Sequence, residues 1–518
     1  MTSATTGDVA FSAKLGGIAR APALWLGAAC FIIHLVANPH YDVFRDELYF
    51  IVCGLHPAFG YVDQPPLIPL IAAASFKLFG TALMPLRLVP ALANAATVAL
   101  TADFARQLGG GRFAQFVAGL CTLLAPALVV GGVLMSTDAL QPLTWLACAW
   151  IVVRVIASGD ERWWLAFGLV VGVSLESKYL MAFYLVGLAV GGLATSLRRS
   201  LTRPWIYAGA AIGLAIALPN IVWQAAHGWP FIAIGLANAG RKSVGLSPLG
   251  LMVQQALFVG PVSAPVWLAG LWRLGVRPAA PQWRTLAIAY VVVAAIVVLV
   301  NGKAYYATPI YPSLFAAGAV AWESWLKRPL ARAIAIAVAA VPGLISAPTV
   351  LPILPPDILV AYMQATGFSP KTTKTESGEL SELPQYFADM FGWREMAVAV
   401  SAVYRDLPPD ERAETVFYAP NYGEASALTI YGPALGGPPT ISAHNSYFLW
   451  GMRGASGAVV ITLGGDAVGQ HRFYDDARAV GHTDSAYAMP YENGLTIWVL
   501  RRPRAAIADI WPSLRHYD

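Results

Sequence analysis

Apolar runs separated by short polar connections recur along the first two-thirds of the chain and stop near residue 356. They lie near Ala21–Ala37, Leu86–Ala105, Phe113–Gly132, Leu140–Ile156, Trp163–Leu175, Leu180–Ser196, Trp205–Trp223, Leu249–Leu271, Leu286–Val300, Tyr305–Trp325 and Leu330–Ser346. Each approaches the length of a bilayer span, so the pattern predicts about eleven transmembrane helices. The first run lacks a small-residue cleavage site and reads as a retained helix. Pro66–Phe79 is also apolar, but it is short, holds Lys77 and opens on Pro65-Pro66. It is expected to be an interfacial or re-entrant helix. Beyond Pro356 the pattern changes. A polar stretch (Ser369–Glu382) is followed by a predicted helix over Trp393–Arg405. ETVFYA, GAVVITL and LTIWVL read as buried strands and HRFYDDARAV as a helix, which together predict a small α/β domain. The expected organisation is a polytopic helical membrane domain over 1–350 and an α/β domain over 357–518. Residues 38–84 form the first outer loop, with interfacial helices.

Composition sharpens this division. Of 518 residues 57% are hydrophobic and 12% charged, about half the usual charge of a soluble domain. That excludes an ordinary soluble enzyme, a disordered scaffold and a nucleic-acid binder, despite a net charge of +5. The first 356 residues hold 22 Lys and Arg against 11 Asp and Glu; the remainder holds 12 against 18. Basic residues cluster in alternate connections: Lys14 and Arg20, Arg106 and Arg112, Arg154 and Arg162, Arg198 to Arg203, Arg273 to Arg284, and Lys327 to Arg332. The positive-inside rule makes these cytoplasmic and puts the acidic tail outside. The expected location is a bacterial inner membrane, with the N-terminus cytoplasmic and the C-terminal domain periplasmic. Four cysteines, Cys30, Cys53, Cys121 and Cys148, form neither a disulfide framework nor a metal motif.

With charge so scarce, its placement carries the functional information. Asp8, Asp103, Asp160, Glu161 and Glu323 fall on the cytoplasmic side among basic residues, as solvated helix ends do. Asp42, Asp46, Glu47, Asp63, Asp138 and Glu176 fall outside, four of them between Asn38 and Pro66. That loop has partly amphipathic character and is expected to lie along the membrane surface. Its Arg45-Asp46-Glu47 interrupts an apolar stretch, where charge is costly without a partner or a task. Asp138 opens the fourth helix in MSTDALQP, either as an N-cap or as part of a site. Lys178 and Lys303 are isolated outer cations; each either snorkels, forms an ion pair such as Glu176–Lys178, or binds an anion. Arg241-Lys242 adds an outer basic pair. A lipid phosphate is the natural anion at such a surface.

A carboxylate beside a cationic pocket suits sugar transfer from a polyprenyl phosphate. The acceptor hydroxyl needs a general base, here Asp46, and the departing phosphate needs fixed positive charge, here Lys178 and Lys303. RDELYF, GYVDQPPLIPL, MSTDALQPLTW, SKYLMAFYL and GKAYYATPIYPSL extend the case. With these motifs the chain resembles the protein O-mannosyltransferase and lipid A aminoarabinose transferase superfamily of membrane glycosyltransferases, over roughly residues 20–350. The resemblance implies a C-type glycosyltransferase fold, the catalytic acid at Asp46 with Glu47 beside it, and a second acid at Asp138. It implies a lipid phosphate held by Lys178 and Lys303, with Arg45 as a further candidate. Asp63, His56, Tyr61, Tyr305 and Tyr306 are the candidate acceptor or substrate contacts. In the tail, Asn421-Tyr422-Gly423-Glu424 and HNSYFLWG are either glycan contacts or ordinary turn and core residues. No cofactor is required, although a divalent cation on the outer acids is an alternative.

The reading that follows is an inverting glycosyltransferase moving a sugar from an undecaprenyl-phosphate-type donor to a hydroxyl of a cell-envelope glycan or lipid. Sugar-binding repeats of the eukaryotic protein mannosyltransferases are absent from the sequence. A protein O-mannosyltransferase is the rival enzyme, distinguished by a protease-sensitive product. A transporter or lipid flippase is the rival of another class; it would carry functional charges at mid-span or a two-half repeat, and neither is seen.

Overall fold

The computed structural model describes residues 21–238, 247–370 and 380–517. Lys14, Arg20, Asp8 and the Arg241-Lys242 pair lie outside the described residues. The chain forms two compact units. One contains the described residues of 1–40, 84–222 and 243–353; the other contains those of 41–83, 223–242 and 354–518.

The first unit is helical. Its core surrounds Trp145, Tyr184, Tyr311, Phe104 and Phe315, all fully buried, with the Trp145 and Tyr184 rings stacked at 4.5 Å. The helices approach closely where glycine removes the side chain. A Cβ on Gly318 would land on Val266 O, and one on Gly270 on Leu314 O, so Ala264–Gly275 and Tyr311–Trp325 touch backbone to backbone. A buried polar knot ties the helix ends. Arg87 donates to Asn38 O (2.9 Å), Asn38 Nδ2 to Gly132 O (2.9 Å), and Asn94 Nδ2 to Leu128 O (2.8 Å). Inside an apolar bundle each such group needs its partner.

The predicted apolar runs become helix, but they break where proline or glycine removes a backbone donor or loosens the turn. Arg112–Leu124 and Pro126–Val133 meet at 64°, and Pro248–Phe258 meets Pro261–Gly275 at 103°. Tyr311–Trp325 follows a 3-10 segment over Ala304–Ile310. Five helices among the described residues are long and apolar enough to cross a membrane, or up to eight if each bent pair is one span. The expected count of eleven is not reached by that measure. Ala21–Ala37, with 17 residues, and Trp163–Leu175, with 13, are apolar but short. Pro204–Ala226 and Pro329–Ser346 turn Leu214, Leu218, Val222, Leu330, Ile334 and Val338 outward, the surface that lipid covers in a membrane protein.

The second unit is built on a five-stranded mixed sheet. Its strands are β1 (Thr415–Tyr418), β2 (Thr440–Ile441), β3 (Val459–Leu463), β4 (Tyr474–His482) and β5 (Thr496–Pro503), in the order β2-β1-β3-β5-β4. β1 pairs parallel with β2 and β3, while β5 pairs antiparallel with β3 and β4. β1, β3 and β5 are the three apolar runs read as strands. β4 corrects the helix expected over HRFYDDARAV. As an edge strand it is mostly exposed and shows no two-residue hydrophobic alternation, and pairing with β5 supplies the backbone bonds that override local preference. Helices Trp393–Asp406 and Tyr422–Leu435 pack on each other in this unit, and Tyr422–Leu435 also packs on Arg45–Leu55.

In Arg45–Leu55, Glu47 through Gly54 are all buried. Leu67–Phe79 packs so closely that a Cβ on Gly54 would land on Pro69 O.

Candidate active site

The candidate residues fall into one cluster in each unit. In the second unit, Arg45–Leu55 begins with Glu47 Oε2 accepting the Phe44 N–H at 2.9 Å. Glu47 is fully buried, and this bond satisfies one of the donors left open at a helix start. Its neighbour Asp46 faces the other way and is about one-third exposed (32%). Asp46 Oδ1 accepts from Tyr422 OH at 2.8 Å and from Arg45 Nε at 3.4 Å. Arg45 is held on several sides. Its Nη1 donates to Tyr491 OH (3.2 Å) and lies 3.8 Å from Asp389 Oδ1, and its guanidinium sits 5.6 Å from the centre of the Tyr422 ring. Asp46 and Asp389 thus both lie beside its guanidinium.

Asp63 stands nearby. Its Oδ1 accepts from Tyr49 OH (3.0 Å) and its Oδ2 from Asn445 Nδ2 (3.4 Å). Tyr49 packs on the Tyr422 ring at 4.6 Å, so an aromatic pair links the two carboxylates. Burial pushes the Asp63 carboxyl up to about 7, against the Tyr49 bond that favours its charged form, and the charge of Asp46 adds to the rise. Glu424, which is buried, and the partly buried Glu492 form a further acid pair. Burial and mutual repulsion raise Glu424 well above the carboxylate range; burial raises Glu492 to about 7, opposed by Arg45. Asn421 Nδ2 donates to Glu492 at 3.0 Å.

His56 lies on an aromatic shelf. Its ring stacks on Trp450 at 4.3 Å, and its Nε2 is 3.0 Å from Arg453 Nη2. Tyr61 is buried, with its hydroxyl donated to Cys53 O at 2.7 Å, and presents no polar side-chain atom outward.

In the first unit, Lys178 Nζ donates to Asp138 Oδ2 at 2.6 Å. The same ammonium lies 5.4 Å and 5.3 Å from the ring centres of Tyr305 and Tyr306. The two segments are pinned together by Ser177 Oγ donating to Thr137 O at 2.9 Å. Of the alternatives open for Lys178 in the sequence, an ion pair is present, but with Asp138 and not with Glu176. Asp138 is not a side-chain N-cap; the helix Gln141–Ser158 starts without one. Lys303 is partly buried and immediately precedes the Ala304–Ile310 segment that carries Tyr305 and Tyr306.

Asp138, Lys178, Tyr305 and Tyr306 are therefore brought together, as are Asp46 and Arg45. Tyr422, Tyr49, Asn445, Asp389 and Tyr491 complete the second cluster. NYGE and HNSYFLWG gave a signal for Tyr422 and Asn445, whereas nothing in YFADMF or MPYENG marks Asp389 or Tyr491. Among the described residues, no group of three or more His, Cys, Asp or Glu is placed to hold a metal ion.

Residues 63–223 match the protein family described as Dolichyl-phosphate-mannose-protein mannosyltransferase. Comparison with curated proteins gives no match. Among solved structures the chain is similar to ArnT from Cupriavidus metallidurans, both in the apo state and bound to undecaprenyl phosphate. For each the TM-score is 0.59 at 14% identity, over 92% of this chain and 97% of that one. It is also similar to the arabinofuranosyltransferase AftD from Mycobacteria, with a TM-score of 0.50 at 13% identity, over 94% of this chain and 40% of that one. At such identities the structural likeness establishes a shared fold.

Proposed function

We propose that the chain is a membrane glycosyltransferase that moves a sugar from a polyprenyl-phosphate donor to a hydroxyl of a cell-envelope glycan or lipid, inverting the anomeric carbon, a reading supported by the family match over residues 63–223 and by the fold shared with ArnT and AftD. The observation that carries this reading is the Lys178 ammonium, fixed by Asp138 and flanked by Tyr305 and Tyr306. A cation oriented in advance, in a chain of apolar helices, suits the phosphate of a lipid-linked sugar. Undecaprenyl phosphate bound to the C. metallidurans ArnT supports that donor class.

In the proposed reaction the acceptor O–H gives its proton to Asp46 as its oxygen attacks the anomeric carbon. The bond from that carbon to the phosphate oxygen breaks on the opposite face, and the polyprenyl phosphate leaves with the electron pair. Lys178, with Lys303 assisting, neutralises the phosphate as it departs. Arg45 acts on the acid side instead, beside Asp46. The reading calls for no cofactor, since the lysines supply the positive charge. The distribution of basic residues supports placing the reaction on the periplasmic face of a bacterial inner membrane.

Purified protein in lipid nanodiscs, given undecaprenyl-phosphate sugars, is expected to release undecaprenyl phosphate and glycosylate the acceptor. Lys178→Met should lower kcat/KM for the donor by about 100-fold or more. Use of nucleotide sugars in place of the lipid donors, or a Lys178→Met enzyme as active as wild type, would overturn the donor assignment. Loss of turnover in EDTA, restored by a divalent cation, would assign part of the phosphate charge to a metal.

A further inference from the structure

We infer that Tyr422, from the C-terminal region, is a positioning residue for the Asp46 carboxylate. The inference rests on the proposed base role of Asp46 and adds to it a residue far away in sequence. Both hydrogen bonds to Asp46 fall on Oδ1, from Tyr422 OH at 2.8 Å and Arg45 Nε at 3.4 Å. That arrangement leaves Oδ2 to turn toward an acceptor hydroxyl.

Tyr422 is itself held on three sides. Its ring packs on Tyr49, its other contacts include the Arg45 guanidinium over the ring face, and its backbone N–H donates to His444 Nδ1 at 3.2 Å. It is the first residue of Tyr422–Leu435, a helix capped by Asn421, whose side chain accepts the Glu424 N–H at 3.0 Å. The next residue, Gly423, makes room for Arg45: a Cβ there would sit 2.8 Å from Arg45 Cγ and 2.9 Å from the Trp393 ring. The NYGE sequence thus has a role at each of its first three positions. Asn421 starts the helix, Tyr422 aims its hydroxyl at Asp46, and Gly423 admits the arginine.

A phenol donating to a carboxylate stabilises the charged form and fixes the plane of the group. A general base needs both properties, because it must be ionised at the working pH and in line with the proton it takes. Tyr422 keeps its own proton throughout. Its contribution is orientation and charge stabilisation, which separates it from residues that touch the substrate.

Tyr422→Phe keeps the ring contacts and removes only the donor. The expected result is a fall in kcat of about 10- to 150-fold, the range for a lost hydrogen bond to a charged group, with the donor KM unchanged within about twofold. The acid limb of kcat/KM should move to higher pH, because the carboxylate loses a bond that favours its ionised form. A purely structural tyrosine would not move that limb. Tyr422→3-fluorotyrosine preserves shape and strengthens the donor, so it should shift the limb to lower pH; it also serves if the phenylalanine variant does not fold. An acid limb unmoved in the folded variants overturns the inference. If it is unmoved while Asp46→Asn is inactive, the base assignment stands and only the role of Tyr422 falls. If Asp46→Asn is active, the base assignment falls and this inference with it.

Discussion

Asp46 and Glu47 are adjacent in sequence and differ completely in surroundings, which separates their roles at the level of single residues. Glu47 is buried against the start of its helix, while Asp46 keeps a partly exposed carboxylate gripped at one oxygen. Asp63 differs from both, since burial raises its carboxyl to about 7. The folded chain therefore keeps a proton that the unfolded chain releases near pH 4. This contribution to stability is complete below the unfolded value, declines as pH rises toward 7, and is lost above it. Asp63→Asn, which carries no such proton, should flatten the fall in thermal midpoint between pH 5 and pH 8; an unchanged slope would contradict the assignment. The sequence marked Asp46, Asp138 and Lys178 because a charge within apolar surroundings stands out. It could not mark Asp389 or Tyr491, which lie in stretches of ordinary composition and meet Arg45 only in the folded chain.

At the level of elements, apolar runs were legible and their interruptions were not. The chain shows where Pro126 and Pro261 lie, but the angle at each break is set by what the two halves pack against. β4 was misread for a related reason: an edge strand with one paired side carries little hydrophobic pattern of its own. Close helix contacts in the bundle depend on absent side chains and leave only a scattering of glycines in sequence. Gly318→Ala tests one of them. Its new methyl would meet Val266 O, so Ala264–Gly275 and Tyr311–Trp325 must part. A loss of about 1–3 kcal/mol is expected from overpacking of this kind, read as a lower thermal midpoint in detergent. A midpoint equal to wild type would show that these helices are not packed through the glycine.

For the whole molecule, all five strands of the sheet lie beyond residue 356, where the composition changes. That residues 41–83 cluster with the C-terminal region was not visible, because the joining contacts span more than 300 residues. The helical fold shared with the C. metallidurans ArnT was legible through the spaced motifs of the first loop and later connections. Side assignment rests on the basic residues alone, and a reporter tests it. Alkaline phosphatase fused after Asp518 should be active in a bacterial host, as a periplasmic C-terminus requires. Activity only from a cytoplasmic reporter at that position would reverse the orientation and move the proposed reaction to the other face.

The central claim is that a carboxylate of the first loop drives sugar transfer from a lipid phosphate. Its most direct measurement is the turnover of purified Asp46→Asn with an undecaprenyl-phosphate sugar that wild type uses, compared at equal thermal midpoint. Removing the base should lower kcat by about 100-fold or more, with donor binding retained. An Asp46→Asn enzyme that folds normally and transfers sugar at the wild-type rate would contradict the claim.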